Sequence, residues 1–491
     1  MIKKLQISNG AATNSLLLMA VSIITTLLGL IITKLLSVHF SLSEYGTYSQ
    51  ALLVTSTATS LSILGLTNAT NYFYNRSDSD GEKRSYLATI FFIEYISGSV
   101  AALIIILSRV KISEYFSNDK LGNILLLVAL TPILTNLINM YQTLFVSIGQ
   151  AKKIAVRNFV VSVIKLFAVI IACFALNNIV VVLIIVLITD IAQVIYFSLV
   201  FKKEQYAIKL RDKNIGLIKE ILAFSVPMAI YVLSNSLSRD IDKYVVSIFA
   251  DTETLAIYSN AAKILPFDLL TTSIVTVLIP IITRLIHQKA YDEARNIFKL
   301  YLQLGYLLTG IFVGGAIALA AYLMPFLYDK KYLSGLPIFI IYLFVDLIRF
   351  ANVTTILSGA GKTKILMRIS LIVLALNAVF NIVGYKCLGI VGPAIVTLVL
   401  TIMMTLALLY YGSKEIKTRI LDLFDLKEML CVGIEIVVIG VVTNHIASLL
   451  SKHNVPLFFV LAISYGIYLL VLFGINFKKV LRCLKKLNTY K

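Results

Sequence analysis

A chain of 491 residues in which 59% are apolar and only 14% charged cannot clothe a soluble surface, since ordinary soluble domains carry about 25% charged residues. The net charge of +19 lies mostly in short loops between apolar runs, where membrane topology and anionic lipid account for it; membrane lipids are the expected neighbours and no nucleic-acid partner is called for. The four cysteines, Cys173, Cys387, Cys431 and Cys483, show neither metal-ligand spacing nor paired outward placement, so no disulfide framework, zinc site or cofactor is expected.

In chain order, breaks at polar clusters give fourteen candidate spans near 13–39, 46–73, 86–108, 121–147, 154–176, 179–201, 220–249, 254–286, 298–327, 334–360, 364–384, 388–412, 428–450 and 455–476. About 20 helical residues cross a hydrocarbon layer, and the longest span, 254–286, is expected to run past it. The first span follows basic residues but precedes no small-residue cleavage site, so it reads as a retained helix. With the N-terminus cytoplasmic, inward segments hold 31 of the 44 Lys and Arg and outward segments 7, which is the positive-inside pattern. Both termini are then cytoplasmic.

The loops exclude several chemistries. Neither the outward loop 109–120 nor the inward loop 202–219 can hold a domain, which takes about 50 residues. No Walker-type glycine loop is present; Ser358-Gly359-Ala360-Gly361-Lys362-Thr363 has the wrong spacing and follows no strand. The four histidines, His39, His287, His445 and His453, are scattered. A membrane-embedded polymerase would need a long outward loop with an Arg or His cluster, and an enzyme is not expected.

Two segments recur. Ser147 to Arg157 matches Ser358 to Arg368 at an offset of 211, and Tyr48-Ser49-Gln50-Ala51 matches Tyr258-Ser259-Asn260-Ala261 at 210. A duplicated six-helix unit is the expected origin, leaving two extra helices at the end; parallel repeats of this kind place a transport site between halves. The expected organisation is 1–201 and 220–413 as bundles, 202–219 as linker and 414–491 as two helices with a basic tail.

The stretches Leu42-Ser43-Glu44-Tyr45-Gly46-Thr47-Tyr48, Leu64-Gly65-Leu66, Ser147 to Lys153, Phe224-Ser225-Val226-Pro227, Asp242-Lys243-Tyr244, Ile257-Tyr258-Ser259 and Leu278-Ile279-Pro280 resemble the polysaccharide flippases of the multidrug/oligosaccharidyl-lipid/polysaccharide exporter superfamily. The resemblance covers nearly the whole chain in order. It implies an all-α polytopic membrane protein, two six-helix bundles in a V-shaped arrangement plus two C-terminal helices. It also implies a function: moving an undecaprenyl-diphosphate-linked oligosaccharide across the bacterial inner membrane by alternating access, for O-antigen, lipopolysaccharide, capsule or similar polymers. Other surface-polysaccharide assembly proteins are the implied partners. The rival within the superfamily is a multidrug/cation antiporter, for which acidic rather than basic cavity walls are expected.

Ionisable residues inside spans are the site candidates, because a charge at the bilayer centre costs at least about 2.5–3.5 kcal/mol and must face protein or water. For an anionic headgroup the cations are Lys165, Lys34, Lys263, Arg349 and Arg239; for ion coupling the acids are Asp190, Asp268, Glu94, Asp346 and Asp242. Asp346 with Arg349, and Arg239 with Asp242, are three apart and can equally be internal pairs. Lys34 can equally snorkel to headgroups. Lys165 is central in its span, without an opposite charge one turn away, and shares a stripe with Arg157; a structural contact to Asp190 on the next span is the competing role. Pro227 and Pro266 lie inside spans, where proline bends helices.

Overall fold

The computed structural model describes residues 9–77, 79–265, 267, 278, 281–350 and 352–488, and every regular element among them is helical. The first helices are α1 (Asn9–His39), α2 (Leu42–Ser62), α3 (Leu66–Arg76), α4 (Asp80–Tyr115), α5 (Leu121–Val128), α6 (Thr131–Ser147), α7 (Ala151–Phe174) and α8 (Val180–Glu204). There follow α9 (Ile218–Phe249), α10 (Thr252–Ala261), α11 (Tyr291–Ala318), α12 (Ala320–Leu327), α13 (Leu336–Ile348) and α14 (Thr355–Gly359). The last four are α15 (Thr363–Leu388), α16 (Val391–Glu415), α17 (Leu426–Lys452) and α18 (Leu457–Asn488).

Thirteen segments among the described residues are long and apolar enough to cross a membrane, and they fall on thirteen of the expected spans. The remaining expected span, 254–286, lies partly outside the described residues, which leave out 266, 268–277, 279 and 280, and with them Pro266 and Asp268. Several spans read as continuous are broken. The second divides into α2 and α3 because Leu64 (φ 46°) and Gly65 (φ 71°) both adopt left-handed backbone. Gly65 also sits where an added Cβ would meet the Ser225 carbonyl oxygen at 2.3 Å, so glycine serves there both its φ and the close crossing with α9. After α13 the chain turns at Asn352, whose side-chain oxygen accepts the Thr354 N–H at 3.1 Å, an Asx-type turn that competes with helix.

Helix starts follow from local chemistry. Ser41 and Glu44 form a reciprocal capping box at α2, the Ser41 hydroxyl accepting the Glu44 N–H at 3.2 Å and the Glu44 carboxylate accepting the Ser41 N–H at 2.9 Å. Asp251, in the short connection ahead of α10, accepts the Thr254 N–H at 2.8 Å; its bonds with Thr254 hold its carboxyl below the usual aspartate range. Left-handed Gly149 (φ 74°) and Gly361 (φ 69°) precede α7 and α15, the same local device in the two recurring segments.

The chain forms two compact units: one runs to Asp240 and includes Ser247–Ala256, the other comprises Ile241–Val246 and the chain from Ile257. In the first, Leu87, Phe91, Leu137, Leu144, Phe145 and Phe197 are buried between α4, α6 and α8. Lipid tails are as apolar as leucine, so such cores are held by close packing more than by escape from water. In the second unit α15 and α16 meet backbone to backbone, since a Cβ on Gly392 would lie 2.0 Å from the Gly384 oxygen. Leu103, Ile104 and Leu107 of α4 and Ile434, Val438 and Val442 of α17 are exposed; such apolar faces suit lipid contact.

Candidate substrate and coupling sites

In the first unit, α7 packs against α8. Arg157 and Lys165 stand two turns apart on one stripe of α7, and Asp190 and Gln193 stand one turn apart on α8. Asp190 is buried and accepts the Gln193 amide at 2.8 Å. Lys165 and then Arg157 are the charges that act on Asp190, yet among the described residues no carboxylate is in ion-pair contact with either cation. The Arg157 guanidinium lies 5.0 Å over the Phe197 ring and donates to the Asn158 side-chain oxygen at 2.6 Å, while its buried Nε has no acceptor. Two cations around one acid leave a net positive site with an unused donor. Sequence reasoning singled out Lys165 and Asp190 but placed Arg157 in an inward segment; the stripe 157, 161, 165 was the signal that joins it to them.

A second polar node in this unit is acidic. Glu94 of α4 is fully buried; its Oε1 accepts the Asn136 amide at 3.1 Å and its Oε2 has no partner. The same Asn136 nitrogen reaches the Ser62 hydroxyl at 2.9 Å and the Thr59 carbonyl at 3.3 Å, at the end of α2. Lys34 is half-buried on α1, which packs along α7. Arg239 is exposed on α9, its Nε donating to the Asn235 carbonyl at 3.3 Å.

In the second unit, Asp242 is buried and receives the Tyr258 hydroxyl at 2.8 Å, the Tyr342 hydroxyl, and the Lys243 N–H at 2.8 Å. Three donors thus converge on one buried carboxylate. Tyr342 was missed in the sequence because, within the apolar run of α13, only the charged Asp346 stood out. Asp346, one turn further along α13, accepts the Leu265 N–H at 3.1 Å and so ties down the chain just after α10. Lys263 belongs to that same non-helical stretch, and Arg349 is the first residue beyond α13.

The second unit also contains an apolar cavity of about 550 Å³ between α11, α13 and α17, lined by residues including Gly310, Gly314, Phe344, Ile436 and Val441. A Cβ on Gly310 or Gly314 would meet Ile436, at 3.2 and 2.4 Å, so the two glycines let α17 pack closely on α11. The cavity's volume lies within the range of small-molecule pockets.

Comparison with known proteins agrees with this architecture. The family described as polysaccharide biosynthesis protein matches residues 31–337. A membrane protein of Methanocaldococcus jannaschii, MJ1068, is 22% identical over 419 residues, which is 80% of each chain. Among solved structures, the lipid II flippase MurJ in an inward closed conformation superposes with a TM-score of 0.74 at 16% identity, over 95% of this chain and all of that one. An inward-facing multidrug resistance MATE family transporter of the MOP superfamily gives a TM-score of 0.66 at 12% identity, over 82% of this chain and 98% of that one.

Proposed function

This chain belongs to the polysaccharide biosynthesis protein family, and from that premise we propose that it is a flippase for a polyprenyl-diphosphate-linked oligosaccharide. The observation that carries the reading is the α7–α8 node: Arg157 and Lys165 face one carboxylate, Asp190, without closing an ion pair. A diphosphate carries negative charge whatever sugar it bears, and a guanidinium with an unused N–H together with an ammonium are suited to hold it. The apolar cavity in the second unit suits part of a prenyl chain. On this reading Lys34 adds cationic character beside α7, while Arg239, Lys263 and Arg349 are further contacts for the passing headgroup.

The protein then resides in the cell membrane with both termini cytoplasmic. Residues 1–201 and 220–413 act as the two moving halves, and the chain works beside the enzymes that build and polymerise the sugar. No bond is made or broken in the step, so it is not an enzyme. A multidrug/cation antiporter is the second reading, and the buried acids Glu94, Asp190, Asp242 and Asp346 favour it; the net positive node disfavours a cationic cargo. Purified protein in liposomes separates the two. A fluorescent polyprenyl diphosphate exchanging leaflets supports flipping, whereas export of a cationic dye with no lipid exchange would establish the antiporter.

A further inference from the structure

Resting on the flippase reading, we infer that Asp190 is the release group of the α7–α8 node, a tethered carboxylate that competes with an incoming diphosphate for Lys165 and Arg157 and so limits how long the headgroup is held. Helices α7 and α8 pack together and are joined by the turn 175–179, so they run antiparallel. The Arg157 guanidinium, 5.0 Å over the Phe197 ring, fixes which residues face each other. From Arg157 to Lys165, and from Phe197 back to Asp190, the two helices rise about 12 and about 10.5 Å toward that turn. Lys165 and Asp190 therefore lie at one level, and Gln193 lies between that level and Phe197.

The carboxylate is tied to its own helix. Asp190 and Gln193 are both buried, and the Gln193 side-chain amide, one turn along α8, donates to Asp190 Oδ1 at 2.8 Å. Lys165 and Arg157 act on this carboxylate across the helix pair, yet neither is in ion-pair contact with it. The helices that chiefly pack on α7 and α8 are α1, α5 and α6. None of these, nor α7 itself, carries an Asp or Glu, and the other acid of α8, Glu204, pairs with Lys153. Asp190 is thus the carboxylate that this group of helices offers to the two cations.

Charge attraction persists over several ångströms in a low-dielectric interior, whereas a hydrogen bond needs contact. The empty node therefore keeps its cations partly compensated, which spares them the cost of unpaired buried charge, and leaves their N–H donors open. A diphosphate takes those donors through charge-assisted bonds and brings its own negative charge up to Asp190. The carboxylate then stabilises the empty site and repels the occupant of the loaded one. Both effects hasten departure, and a transport site must be favourable enough to fill and weak enough to leave. Gln193 sets the balance, because a carboxylate free to swing onto Lys165 would close an ion pair and use up the donors that the phosphate requires.

The test measures binding of a fluorescent polyprenyl diphosphate to the full-length protein in lipid nanodiscs, and its flipping in liposomes. Asp190→Asn keeps an acceptor for Gln193 and removes the charge. Binding should tighten about tenfold, the effect of removing one nearby like charge, while flipping at saturating lipid slows, so that KM and kcat fall together. Gln193→Leu, which frees the carboxylate to close on Lys165, should weaken binding several-fold. A counter-charge that only holds the fold would instead give Asp190→Asn weaker binding and lower thermal stability. Binding by Asp190→Asn no tighter than that of the wild type, or undiminished flipping at saturation, overturns the inference and leaves the flippase reading standing. If Asp190→Asn does not fold, Gln193→Leu decides, and unchanged binding there overturns the inference. A wild type that binds no polyprenyl diphosphate removes both the flippase reading and the release group.

Discussion

The hydroxyl of Tyr258 donates at 2.8 Å to the buried carboxylate of Asp242, and Tyr342 donates to the same Oδ2. The aspartate thereby fastens α10 and α13 to the end of α9. Removing one hydroxyl by Tyr258→Phe or Tyr342→Phe should cost about 1–3 kcal/mol, because a buried acceptor loses a donor. Replacing Asp242 by Asn in the Tyr258→Phe background should cost less than the sum of the two changes. Thermal unfolding in detergent would read both; full additivity would mean the three groups do not act as one unit.

Lys165 should be needed for its charge. Lys165→Ala should lower flipping at least about tenfold, the equivalent of losing one charge-assisted bond to phosphate at about 1.5–3 kcal/mol, and Lys165→Arg should retain part of the rate. Because Lys165 influences Asp190 without an ion-pair contact, the double change Lys165→Ala with Asp190→Ala should not restore transport. Rescue by the double variant, at matched membrane abundance, would make Lys165 a structural counter-charge and remove it from the site.

Gly65 should tolerate no side chain. Gly65→Ala places a Cβ 2.3 Å from the Ser225 carbonyl at a φ of 71°, so it must shift α3 against α9. A loss of about 1 kcal/mol from the backbone strain alone is expected, with more from the clash, whereas Gly81→Ala, where a Cβ meets nothing within 4 Å, should be near neutral. Equal stability of the two variants in detergent would show that the crossing is not tight.

The orientation argued from basic residues is checked by labelling. In a background lacking Cys173, Cys387, Cys431 and Cys483, cysteines at Ser117 and Asn177 should react with an impermeant reagent from outside. Those at Ser79 and Ser413 should react only after permeabilisation. Reversal at either pair would overturn the topology.

Long apolar runs made the helical architecture legible, since a bilayer admits few other solutions. The helix breaks were less so. Leu64 carries no sequence mark of a left-handed residue, and Asn352 looks like any polar residue near a span end. At the site, central position drew attention to Lys165, Asp190 and Glu94, but hydrogen-bond partners such as Asn136, Gln193, Tyr258 and Tyr342 come from other helices or later turns. Periodicity within one helix cannot show them. Arg157, counted with the inward segment at the edge of its span, lies with its guanidinium 5.0 Å over the Phe197 ring, a contact between helices that no pattern within one helix shows.

The central claim is movement of a lipid-linked oligosaccharide between leaflets, and the most direct measurement is where that intermediate resides when the gene is deleted. Spheroplasts of the deletion strain would be treated with a membrane-impermeant enzyme that cleaves the sugar, and the protected fraction counted. The account predicts that single repeat units accumulate in the protected, inner leaflet, that surface polymer is lost, and that the wild-type gene restores both while Lys165→Ala does not. Single units accumulating in the cleavable, outer leaflet would contradict it.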